Sequence, residues 1–228
     1  MRDSLPEQLY LLGCRLDAER LPDRHRVGLV VRAGALTELL RYGRLTDEYG
    51  APRIRDERPV GDPLLDGILG ELLVSGRWSW RRWIDLHWSQ TLAAVQERLR
   101  ADGVITVRRR PLLADRIAVA DRQAVELLRR RVVAVLGGAA NVPADAASPG
   151  VSGEAAAPGP GGEGAHAEVG VTLALAALSG AGELRTVLSR RERWAYRGRI
   201  RELIGQVGPP ARALRKEIVL LNAARGGA

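Results

Sequence analysis

The side chains of this sequence best equipped for chemistry are arginines. All but Lys216 of its 35 basic residues are arginine, whose planar and permanently charged fork engages phosphate or carboxylate oxygens two at a time. Arg32 interrupts an apolar run, GLVVRAGALTELL at 28–40. A buried guanidinium there needs an acceptor; Glu38 and Asp62 are the carboxylate candidates and a bound phosphate is the other solution. Arg108, Arg109 and Arg110 lead into Pro111, Leu112 and Leu113, a basic run beside an apolar turn. That composition suits shallow contact with an anionic membrane, with the charges on headgroups and the leucines in the interface. Arg190, Trp194, Arg197 and Arg201 recur at i, i+4, i+7 and i+11, within about 60° of one another on a helix. Such a secondary basic ridge can grip phosphates, or form the solvated flank of a helix whose apolar stripe is Tyr196, Ile200, Leu203 and Val207.

Other chemistries lack their residue sets. His25, His87 and His166 stand apart from second ligands at metal spacing, so no metal is expected. GPGGEG at 159–164 matches a dinucleotide fingerprint, but no strand precedes it. Ser152 lacks the G-x-S-x-G frame of a nucleophile elbow. Asp62 and Asp66 are one helical turn apart, yet Asp62 precedes Pro63 and is better read as a helix cap. Cys14 has no partner for an internal disulfide and reads as a small buried hydrophobe. The expectation is a protein that is not an enzyme and uses no cofactor.

The elements that must position these residues are mostly helical. A helix starts at the Ser4 cap, with Pro6 and Glu7 in its first turn; a second covers 28–40 and ends at Gly43. A short hairpin turns at Tyr49-Gly50, and Asp62-Pro63 opens the next helix. The stretch GRWSWRRWIDLHW at 76–88 holds four of the five tryptophans of a chain without phenylalanine. Helical spacing puts Trp80, Trp83, Ile84, His87 and Trp88 on one face, which assigns Trp80, Trp83 and Trp88 to the core and Trp78 to the surface. A helix closed by Gly103 follows, then a hairpin with strands VITVRRR and DRIAVAD, then the helix RQAVELLRRRVVAVL. EVGVTLALAALSGA reads as a central buried helix, and two basic helices, RRERWAYRGRIRELIGQV and PPARALRKEIVLLNAA, close the chain. The fold class expected is mainly α, a single-domain helical bundle over 1–228 with a β-hairpin.

Charge is unevenly spread. Residues 137–168 contain no Lys or Arg but four carboxylates, so the remainder is more basic than the total of +8. A basic body is drawn to polyanions: nucleic acid, an anionic membrane or an acidic protein. Ala, Gly and Pro fill 22 of those 32 positions. So little burial is available there that a disordered insertion within the domain is expected. No signal pattern opens the chain, and the longest charge-free apolar stretch, at 169–182, is too short to span a bilayer. The expected location is cytoplasmic, peripheral to the inner face of the membrane.

In order and content, LPEQLYLLGCRLD, GALTELLRYGRL, GDPLLDGILGEL, ERLRADGVI with its hairpin, and RGRIRELI resemble the GPP34 family, whose eukaryotic members are the Golgi phosphoprotein 3 proteins. ELLRYGRL and GDPLLD, separated by a hairpin, are the most specific parts. The resemblance covers nearly the whole chain apart from 137–168 and the last few residues. It implies a mainly helical domain that binds phosphatidylinositol 4-phosphate at a membrane surface, self-associates through its hairpin and holds protein cargo. It also implies a headgroup pocket made of a tryptophan, an arginine shortly after it, and two arginines one turn apart on a later helix. Arg32 matches the first arginine; LPDRHR has no tryptophan, and the later pair falls on Ser89 and Leu92. Arg24, Arg26 and Arg98 are the neighbouring charges offered as substitutes. The leading expectation is thus a non-enzymatic peripheral protein that binds anionic phospholipid headgroups. Winged-helix-like nucleic-acid binding competes, because a helix, Gly103 and a basic hairpin follow in that order. So does a protein adaptor that binds no lipid.

Overall fold

The computed structural model describes residues 4–110, 114–138 and 162–226, with side chains from 169 onward in the last segment. Among these residues the order is α1 (Leu5–Gly13), α2 (Arg24–Arg41), β1 (Leu45–Glu48), β2 (Ala51–Ile54), α3 (Pro63–Val74), α4 (Trp80–Asp85) and α5 (Trp88–Ala101). There follow β3 (Ile105–Arg108), β4 (Arg116–Val119), α6 (Arg122–Leu136), α7 (Gly162–Ala181), α8 (Arg190–Ala195), α9 (Arg197–Val207) and α10 (Pro209–Gly226). The protein is mainly α, with two antiparallel hairpins.

Local chemistry sets most boundaries. Ser4 occupies the N-cap of α1 but makes no side-chain cap hydrogen bond, whereas Asp62 accepts from the backbone of Leu64 and Leu65 ahead of Pro63. α2 ends in a Schellman turn: Gly43, at φ +68°, donates to the Leu40 carbonyl and Arg44 to that of Leu39. Tyr49 and Gly50 both take positive φ, which joins β1 to β2 by a two-residue turn with Glu48 opposite Ala51.

The centre of the bundle is α2, with α7, expected there from its charge-free run, packed against it. Fourteen of the eighteen residues of α2 are buried, so the helix is enclosed on all sides, by α1, α5, α7 and α10 with α3 and α4 over one flank. Close approach relies on small residues. A Cβ on Gly28 would lie 2.3 Å from the Trp88 ring, and one on Gly182, just past α7, 2.2 Å from Val30 Cγ2. The second half of α7 is buried at every position from Ala174 to Ala181, Ser179 included, as its largely apolar composition implies.

Three expectations about continuity need correction. The tryptophan segment is not one helix: α4 stops at Asp85, His87 turns left-handed at φ +57°, and α5 restarts at Trp88. Trp80 and Trp83 are buried as periodicity implies, but Trp88 is half-buried, tilted against His25 at 4.6 Å between ring centroids. Trp78, expected at the surface, is also half-buried, 5.3 Å from the Trp83 ring and capped by Arg82. The 190–207 stretch likewise divides at Tyr196 into α8 and α9. Finally, α7 begins at Gly162, so the last residues of the Ala/Gly/Pro-rich stretch are helical, while 139–161 lie outside the described residues.

The packing at Gly182 leads to a stability test with an internal control. Gly182→Ala is expected to lose about 1–3 kcal/mol by overpacking against Val30. Gly67→Ala, exposed within α3 where nothing stands within 4 Å of an added Cβ, is expected to gain about 0.5–1 kcal/mol. Urea denaturation of both variants against the parent protein checks the opposite signs.

Candidate functional site

Arg32 lies inside the protein with its side chain 1% exposed. Nε donates to the Trp83 carbonyl at 3.3 Å, Nη1 to Thr91 Oγ1 at 3.1 Å and Nη2 to Glu71 Oε2 at 2.6 Å. Burial lowers its pKa, while the hydrogen bond and charge of Glu71 oppose that shift. The open phosphate pocket expected at Arg32 is therefore corrected, and so are its expected partners: the carboxylate is Glu71 on α3, neither Glu38 nor Asp62. The residues that close over it come from α3, α4 and α5, elements whose convergence no local pattern announces.

The neighbouring charges do not gather into one pocket. Arg24 is exposed and reaches Gln96 Oε1 at 3.4 Å. Arg26 is buried and faces the other side of α2, bonded to Asp23, the Gly182 carbonyl and Asn222 Oδ1. Arg98 bridges Glu7 at 2.8 Å and Asp62 at 2.6 Å. Of the four arginines expected to hold a headgroup, three are thus matched to carboxylates within the chain, and they share no partner among the described residues.

Beside the Arg98 bridge lies Glu38, buried, with Oε2 lacking a hydrogen-bond partner. Burial, then repulsion from Asp62, pushes its pKa up to about 7. The Cys14 thiol, also buried, is pushed up to about 12 by desolvation and is chemically inert, as the reading of a small hydrophobe implies.

The basic hairpin keeps its charges outward. Arg108 stands directly across from Arg116 in the β3–β4 register, a like-charge pair that is unfavourable unless one member is drawn aside. Glu19 does this, pairing with Arg116 and, at 2.6 Å, with Arg122. Arg108, Arg109 and Arg110 are exposed and hold no ion pair with a described residue; the pKa of Glu97 is lowered first by its hydrogen bond from Arg100 and only last by the charge of Arg109. Leu112 and Leu113 lie outside the described residues.

Of the expected ridge, part survives. Trp194 is 70% exposed, the Arg197 guanidinium sits 4.4 Å from its ring centroid, and Arg201 Nε donates to the Arg197 carbonyl. Arg190 shares α8 with Trp194, is separated from Arg197 and Arg201 by the break at Tyr196, and lines a cleft at the start of α2. Glu183 was missed. It stands at φ +51° just past α7, in the left-handed capping position where glycine is usual, and accepts from Arg215 at 2.8 Å and Asn222 at 3.1 Å. The signal available was GAGE: the last glycine falls one residue too early to be the cap.

Fold and side chains together define a helical protein whose uncommitted chemistry is cationic; no group of residues able to hold a metal occurs among the described residues. The model of the Golgi phosphoprotein 3 (GPP34) family matches residues 5–219, and the chain belongs to that family. No curated protein matches it at a significant level.

Removing the counter-charge of Arg32 is expected to be costly. Glu71→Ala should lose about 3 kcal/mol, the low end for a broken buried pair because Glu71 is 34% exposed. Arg32→Met combined with Glu71→Leu should lose less than Glu71→Ala alone; urea denaturation compares them. For Glu38, a folded pKa above the ordinary 4.5 means its contribution is fully present below about pH 4.5 and is lost as pH rises through about 7. Glu38→Gln is expected to flatten the dependence of Tm on pH across that window, measured by thermal melts.

Proposed function

We propose that this protein is a non-enzymatic peripheral membrane protein that binds anionic phospholipid headgroups at the cytoplasmic face. The observation that carries the reading is the run Arg108, Arg109 and Arg110: three consecutive exposed guanidiniums, none holding an ion pair with a described residue. Because Glu19 takes up Arg116, the charge of Arg108 opposite it is left for an anionic surface. The sequence then continues Pro111-Leu112-Leu113, apolar residues of the kind that enter a membrane interface. Exposed Trp194 with Arg197 against its ring offers a second contact of interfacial composition.

Family membership supports the class of ligand, with phosphatidylinositol 4-phosphate as the expected member. No helix among the described residues is long and apolar enough to cross a membrane. Because Arg32, Arg26 and Arg98 are matched internally, recognition in this chain rests on the exterior arginines, which favours anionic surfaces in general over one headgroup.

Co-sedimentation with phosphatidylcholine vesicles carrying phosphatidylinositol 4-phosphate or phosphatidylglycerol tests this. Binding is expected to require the anionic lipid and to weaken as salt rises. Arg108→Glu with Arg110→Glu should weaken it by about tenfold or more, given roughly 1 kcal/mol for each charge near the surface. Equal binding to pure phosphatidylcholine, or a variant that binds like the parent, would defeat the proposal. A salt-sensitive duplex DNA mobility shift without vesicle binding would move the same hairpin to the nucleic-acid reading.

A further inference from the structure

A cleft of about 1340 Å³ opens between the end of α1, the start of α2, α6, the 183–190 segment and the end of α10. Four arginines and four carboxylates line it in pairs. Arg15 is matched by Asp17 and Arg129 by Glu126, while Arg26 and Arg225 both bond Asp23, and Arg26 also faces Glu183 at 3.6 Å. Two further arginines line the same cleft, Arg185 and Arg190, and neither holds an ion pair with a described residue.

The imbalance is deeper than those two residues. Glu183 is already shared, since Arg193 and Arg215 also pair with it. Asp23 is held down to about 2: burial would raise it, but hydrogen bonds from Arg225, the Arg26 backbone and the Arg26 side chain prevail. Both carboxylates are therefore saturated, with guanidiniums to spare. Arg193 reports the excess. Burial first, then repulsion from Arg185, Arg26 and Arg190, lowers its pKa despite the nearby Glu183. Meanwhile the shared carboxylate sits on a residue in the left-handed region, a local strain of about 1 kcal/mol or more that its surroundings must over-determine.

We propose that this cleft is a binding site for a phosphomonoester, with Arg185 and Arg190 as the groups that take its oxygens. Two forked and uncommitted guanidiniums match one group that presents about two negative charges on three oxygens, as a terminal phosphate does near neutral pH. A carboxylate or a phosphodiester presents only one. Arg26 and Asp23, locked by their own bonds, supply a rigid floor beneath the two exposed arginines. The site is separate from the hairpin and does not rest on the membrane reading. The phosphomonoester can be soluble or carried on a lipid.

Titration calorimetry of the full chain with inorganic phosphate at fixed ionic strength, with chloride and acetate as monoanion controls, tests the site. The expected result is saturable one-to-one binding of phosphate that exceeds both controls. Arg185→Glu with Arg190→Glu, both at exposed positions, should weaken it by about tenfold or more while the circular dichroism melt stays cooperative. Arg108→Glu with Arg110→Glu should leave it unchanged, so loss of vesicle binding and loss of phosphate binding are separable. Stronger sedimentation with phosphatidic acid vesicles than with phosphatidylglycerol vesicles, abolished by the Arg185 and Arg190 changes, assigns a lipid-borne phosphate. Phosphate binding without that vesicle preference assigns a soluble one. No phosphate response beyond chloride, or the same response in the Arg185 and Arg190 variant, overturns the proposal.

Discussion

The guanidinium of Arg32 is a charge held in the middle of an apolar bundle, and three neighbouring elements are arranged to satisfy it. It takes a carboxylate from α3, a backbone carbonyl from α4 and a hydroxyl from α5. None of these groups is near it in sequence. An unmatched charge at that depth would cost several kcal/mol, so each acceptor must arrive in register with α2. The result ties the tryptophan segment, the helix after Asp62 and the helix before Gly103 to one point. The Trp83 carbonyl is available to Arg32 because α4 is short: the turn at His87 ends it and redirects the chain into α5, where Thr91 donates back to the His87 carbonyl.

The same accounting, applied to the rest of the arginines, separates structure from function. Arg26, Arg98, Arg44 and Arg129 each sit mostly out of solvent beside a carboxylate, and these pairs fasten helices whose apolar faces are largely aliphatic. What remains after matching lies on several faces, and it includes the β3–β4 hairpin, the lip of the cleft between α2 and α10, and Arg197 against Trp194. A basic protein can thus carry a large positive total while many of its cations are already taken up within the chain. Net charge alone does not say which.

Much of the fold was legible. The Asp62-Pro63 start, the glycines at 43 and 103, the Tyr49-Gly50 turn and the apolar run into Ala181 are signals that act within one or two turns of chain, and each lies where the local chemistry puts it. The breaks at His87 and Tyr196 were not legible, because both neighbouring stretches carry helical periodicity and nothing in the residue types forbids continuation. Tertiary packing decides them. Trp88 is placed against Gly28 of α2, a contact that a straight continuation of α4 would not supply.

Sequence by itself determined the class of the protein: the order of most helices and of the hairpins, the aliphatic core with Trp80 and Trp83 in it, the cationic chemistry carried by arginine in all but Lys216, and the family. It also determined which arginines exist, but not which of them are spoken for. That was decided only by the tertiary structure, because an ion pair depends on distance in space and is indifferent to separation along the chain. Arg32 and Glu71 are 39 positions apart, and Arg26 and Asn222 are 196. Coulomb attraction and hydrogen bonding act over a few ångströms, so the identity of a free guanidinium becomes defined once the chain has folded around it.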